Sequence, residues 1–117
     1  MLVRREDRKK VLLTKGSKNR TIVWDYPMPS EEIGISVQNI EGRVPESGSF
    51  RNRECHEVLY IISGTGNIVV EGMKYTVKGG DVIVIPKGKR SYITSRKLKI
   101  LAATSPDWRE SQCEVAD

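Results

Sequence analysis

Histidine is nearly missing from this chain: among 117 residues there is one, His56. A conventional protein metal centre draws on several imidazole, thiolate or carboxylate donors, so a histidine-built site is excluded. Cysteine is equally scarce. Cys55 and Cys113 stand alone, with no CxxC spacing, which excludes a disulfide framework and a zinc ribbon. No apolar run approaches the roughly 18 residues of a membrane-spanning helix, and the charged N-terminus lacks the apolar centre of a signal peptide. These absences lead to the expectation of a cytoplasmic protein with two free thiols and no membrane contact.

Charge is plentiful. Lysine and arginine number 20 against 15 acids, for a formal net charge of +5 and a pI near 9.4. A basic balance raises nucleic acid or an anionic ligand as a partner. The cations are interspersed with acids, however. The run from Arg4 to Lys10 carries Glu6 and Asp7 and reads as a solvated edge. Nucleic acid is therefore not the expected partner. A small anion remains open, because a second basic run stands at Lys87–Arg90.

The length suits one domain, residues 1–117, since single domains commonly run to about 100–150 residues. Gly and Pro punctuate short β-branched stretches throughout. The pattern predicts strands at 21–26, 33–40, 57–62, 67–70, 73–77, 81–85, 90–94 and 98–103, with an added edge strand at 11–14. Ser63-Gly64-Thr65-Gly66 reads as the turn that closes the strand before it. Only the tail looks helical, with Ser105-Pro106-Asp107 as a cap and a short helical turn within 105–112. Beyond it the chain is expected to be mobile. Strands at regular spacing indicate an all-β sandwich or barrel. Residues 58–62 and 82–85 are apolar at consecutive positions, so both of their faces should be covered. Either the N-terminal strands cover the outer face or a second copy does. A homodimer packed sheet to sheet is the expectation.

One constellation goes further. Gly80, Pro86 and Gly88 are separated by five residues and then one, and six residues stand between Glu57 and Gly64. Gly64-Thr65-Gly66 leads into a strand, and Glu71-Gly72 sits at a hairpin. Together, over residues 30–105, this resembles the cupin superfamily of small jelly-roll barrels. The resemblance implies a cupin barrel (a double-stranded β-helix) as the core, N-terminal strands within 1–29, and a C-terminal tail at 106–117. It also implies a metal held by two histidines and a glutamate of the first motif and a histidine of the second. Here Ser91 stands at the second-motif histidine position and Ser95 at that of the motif's terminal asparagine. Arg51, Asn52 and Arg53 occupy the stretch where the first-motif histidines belong. Only Glu57 survives from the ligand set. No metal and no other cofactor is therefore expected.

Alternation along a strand puts Arg53, Cys55, Glu57, Leu59 and Ile61 on one face, with Tyr60 and His56 on the other. Ser91 and Ile93 would line the opposite wall. Tyr92, one residue off that wall, belongs to the outer sheet, and Trp108 would cross the mouth or the dimer surface. A buried carboxylate needs a donor, and Arg53 is the expected partner of Glu57. Arg51, Arg53, Cys55, Glu57, Lys89 and Ser91 thus form the candidate ligand site, for a polar or anionic molecule such as a sugar or sugar phosphate. Three activities fit. The first is a metal-free small-molecule-binding protein. The second is a metal-independent sugar (phosphate) isomerase or epimerase with Glu57 as acid and base. The third is a metal-binding protein using Cys55, His56 and Glu57.

Overall fold

In a computed structural model, residues 1–14 and 18–117 are described, and they form one curled antiparallel sheet. Its strands are β1 (Lys9–Thr14), β2 (Arg20–Tyr26), β3 (Gly34–Val44), β4 (Ser49–Asn52), β5 (His56–Val70), β6 (Met73–Lys78), β7 (Val82–Ile85), β8 (Arg90–Ser105) and β9 (Cys113–Ala116). The order runs β1-β2-β3-β8-β4-β9, while β5 pairs with β8 and also with β6 and β7. This is the barrel expected from the strand pattern, in the jelly-roll form that the resemblance implied. Residues 15–17 lie outside the described residues.

Two long strands make the barrel. The four residues Ser63–Gly66 do not end a strand, contrary to the sequence expectation. β5 continues through them and stays paired with β8 from His56↔Ser105 to Val70↔Ser91, with irregularities at Ile61/Ser63 and Thr65/Gly66. Gly64 explains the continuity. It sits at φ 89°, where a side chain is strained, and a Cβ there would collide with the Lys97 carbonyl oxygen. The glycine serves a bulge that bends the strand from one wall of the barrel to the other. The segments 90–94 and 98–103 likewise merge into β8.

Alternation then sorts the side chains. Ile40, Leu59, Ile61, Ile68, Leu98 and Ile100 point inward and are at most 2% exposed. Phe50, Val70 and Ile83, partly buried, pack against this core. The N-terminal strands do not cover the outer face as one expectation had it. They extend the sheet sideways, β1 on β2 and β2 on β3.

The tail also departs from expectation. Only a 3-10 turn forms, at Glu110–Gln112, and the chain then makes β9 against β4. The reason lies in where its backbone groups bond. The Asp107 N–H donates to the Glu31 carbonyl (2.9 Å), and the Gln112 carbonyl accepts from the Arg53 N–H (3.0 Å). Partners across the barrel's end replace the intrahelical ones, so the tail is a strap and not a helix.

Candidate functional site

Four strands place a row of inward residues at one end of the barrel. Gly34 of β3 faces Thr104 of β8, Thr104 faces Glu57 of β5, and Glu57 faces Ile85 of β7. The next row inward is Ser36, Ala102, Leu59 and Ile83. Glu57 therefore stands where the polar end of the barrel meets its apolar interior.

The strap closes over this row. The Cys55 thiol lies 3.7 Å from the Asp107 carbonyl oxygen. A Cβ on Gly34 would meet the Asp107 carboxylate and come within 2.6 Å of Thr104 Oγ1, so the missing side chain lets Asp107 reach in. Asn52 fastens the far side. Its Oδ1 accepts from Trp108 Nε1 (3.1 Å) and from Gln112 Nε2 (3.0 Å). Gln112 is 2% exposed, and its Oε1 accepts from the Glu54 N–H at 3.2 Å. Trp108 thus crosses the mouth, one of the two places expected for it.

Electrostatics single out Glu57. Burial pushes its carboxyl from the ordinary 4.5 to about 7. The residue keeps some solvent-accessible surface, yet the atoms packed around the carboxyl make its surroundings dry. Among the described residues no side chain donates a hydrogen bond to it and no cation pairs with it. Thr104 Oγ1 beside it is also buried without a partner. Both thiols feel the same surroundings. Burial first, and the Glu57 charge second, raise Cys55 above its usual value and Cys113 to about 11.

Arg53 is not the partner of Glu57, contrary to expectation. Its guanidinium donates to the Ser111 carbonyl (2.6 Å) and the Gln112 carbonyl (3.4 Å) and lies 3.4 Å from the Glu114 carboxylate. The 3-10 turn and β9 supply these acceptors, and no signal for β9 was read in the sequence. Arg51 also meets Glu114, at 3.3 Å, in a charge contact whose angle does not make a hydrogen bond. Lys89 is exposed on the turn before β8. Ser91 is buried in the opposite wall, facing Phe50 and Val70. The structure therefore gathers Cys55 and Glu57 and turns the cations elsewhere. Thr104, Asp107 and Cys113 join the site, and sequence alternation missed all three. Thr104 was legible only through the unbroken pairing of β5 with β8.

His56 points away from Glu57, as alternation requires. It is exposed, and its Nδ1 accepts from the Lys87 N–H at 3.2 Å. Among the described residues no group of three or more His, Cys, Asp or Glu side chains could hold a metal ion. The family's metal does not fit these donors: one carboxyl near neutrality and two protonated thiols offer a poor site.

The model of the cupin domain family matches residues 36–102. The chain belongs to the cupin family. A Streptomyces PAC13 variant solved with uridine superimposes with a TM-score of 0.83 at 13% identity, over 99% of this chain and 89% of that one. Pac13 itself, described as a nucleoside dehydratase, gives 0.80 at 14% identity, over 99% and 90%. The Clostridium difficile EutQ protein gives 0.69 at 23% identity, over 96% and 79%. An uncharacterized protein of Methanocaldococcus jannaschii is 26% identical over 107 residues, 86% of each chain. The solved structures show the fold of this cupin and nothing finer. Among the described residues no helix is long and apolar enough to cross a membrane.

Proposed function

We propose that this cupin binds a small, uncharged, hydroxyl-bearing molecule, a sugar or a nucleoside, at Glu57 inside the barrel, without a metal. One observation carries the reading: a carboxyl near neutrality stands beside an unpaired threonine hydroxyl, and among the described residues no cation pairs with it. A ligand hydroxyl satisfies both groups, donating to one and accepting from the other. A phosphate or carboxylate would meet the Asp107 and Glu57 carboxylates, while Arg109, the cation whose charge reaches Cys55, is turned to Glu31 at 3.9 Å. The geometry thus favours the sugar half of the sequence expectation over the sugar phosphate half. The uridine-bound PAC13 barrel supports the class, since it places a neutral nucleoside in the same fold.

A second reading, an isomerase- or epimerase-type enzyme, has one observation behind it. A carboxyl titrating near 7 can give and take a proton at neutral pH. Glu57 would then serve as both acid and base.

Two finer properties complete the proposal. The protein acts as a homodimer through the outer face of β5 and β7. Val58, Tyr60, Val82 and Val84 are 39–57% exposed there, on adjacent paired strands. The stripe holds no cation, so the net positive charge does not oppose a second copy at this place. Two free thiols fit a cytoplasmic location.

The test is a thermal-shift titration with uridine and neutral monosaccharides. The native protein gains melting temperature with at least one of them, and Glu57→Gln loses that gain. A gain that survives in Glu57→Gln, or none with any compound, rejects the reading.

A further inference from the structure

The opposite face of the same sheet carries a concavity of about 410 Å³. Its size lies in the range of small-molecule sites, about 300–1,000 Å³. It forms where the N-terminal segment passes the outward residues of β2, β3, β8 and β5. Glu57 is not part of it, because inward and outward side chains alternate along β5.

Its lining is chemically one-sided. Arg5, Arg8 and Lys99 supply three cations. No carboxylate lines the groove, and among the described residues none of the three makes an ion pair. The nearby Asp7 carboxylate is turned to its own chain, accepting from the Arg4 N–H at 2.9 Å. Trp24 and Tyr26 form one wall, and Val37 and Ile62 the apolar floor. Arg8 is already placed: its guanidinium carbon lies 3.7 Å from the centre of the Trp24 ring. A stacked guanidinium keeps its planar N–H fork free and holds it in one orientation. Lys99 arrives from the other side of the groove, paired through β3 as Asn39↔Lys99.

We propose that this outer groove is a second ligand site, for a small organic anion that carries a flat ring. The anionic group sits between Arg8 and Lys99, where charge-assisted hydrogen bonds replace water. The ring lies against Tyr26 and the Val37–Ile62 floor. Asn39, which also lines the groove, offers an amide to the ring's polar edge. The site is independent of the interior one, so a neutral ligand and an anionic one can be held on opposite faces of one sheet.

Calorimetric titration of the full chain tests this with three probes. Adenosine monophosphate carries both the charge and the ring, adenosine only the ring, and inorganic phosphate only the charge. The monophosphate should bind about tenfold or more tightly than either fragment, because each lacks one set of contacts. The double variant Arg8→Gln/Lys99→Gln should lose about tenfold or more of that affinity. Lys74→Gln/Lys97→Gln removes the same charge outside the groove and should keep it. Both pairs of side chains are on the surface, and a melting curve of each variant verifies its fold. Equal affinity for the monophosphate and inorganic phosphate overturns the proposal. So does equal loss in the two double variants, which would mean that only net charge matters. Failure here leaves uridine binding at Glu57 untouched, and failure of uridine leaves this result standing.

Discussion

Replacing Glu57 by glutamine should stabilise the protein increasingly as pH rises. The native carboxyl titrates near 7, against the ordinary 4.5 in an unfolded chain. Between these values the folded state holds a proton that the unfolded state has released. Stability therefore falls as pH climbs through this window and levels off above it. The rise from 4.5 to about 7 corresponds to at most about 3 kcal/mol at pH 8 and almost nothing at pH 4. Glutamine keeps the volume, and the cost of its amide is the same at every pH. The difference between native and variant thus isolates the titration. A chain of this length loses about 0.25 kcal/mol per degree near its melting point, so the gap in melting temperature should widen by about 12 °C between pH 4 and pH 8. Melting curves at half-unit steps of pH measure it. Parallel curves for the two proteins would refute the reasoning, because Glu57 would then titrate as it does in water.

Three further outcomes follow from the same structure. Asn52→Ala removes the acceptor shared by Trp108 and Gln112, and denaturant titration should show a loss of about 1–3 kcal/mol, because the buried Gln112 amide is stranded. A disulfide reagent at pH 8 should label Cys113 far more slowly than a free thiol, since a group titrating near 11 is thiolate in only about one molecule in a thousand; labelling should speed up in the Asn52→Ala variant. Val84→Lys places a charge in the outer stripe, and light scattering should fall from twice to once the 13.2 kDa chain mass.

The barrel was legible because its signals are local. Alternation along 33–40 and 57–62, and glycine with proline around 80–88, report on strands and turns that form whatever lies beside them. The same alternation put His56 outside and Cys55 and Glu57 inside. What was not legible depends on distant partners. Ser63–Gly66 looks like a turn until β8 is seen to pair straight through it. Arg53 looks like the natural partner of Glu57, yet the carbonyls of Ser111 and Gln112, some 60 residues away, take its guanidinium. Residues 105–112 carry helix-start residues, but the bond from Asp107 to Glu31 leads 107–109 across the mouth without a helix, and only the 3-10 turn at Glu110–Gln112 forms. The apolar runs at 58–62 and 82–85 suggested a covered outer face. The structure leaves that face open, and its other half holds the basic groove that composition alone showed only as scattered charge.

The central claim is that Glu57 and Thr104 receive a neutral, hydroxyl-bearing ligand inside the barrel. Titration of uridine into isotope-labelled protein, followed amide by amide, tests it most directly. The account predicts that perturbed amides cluster at Cys55, Glu57, Ile85 and Thr104 and that the perturbation disappears in Glu57→Gln. Perturbation confined to the outer face, or unchanged in Glu57→Gln, would contradict it.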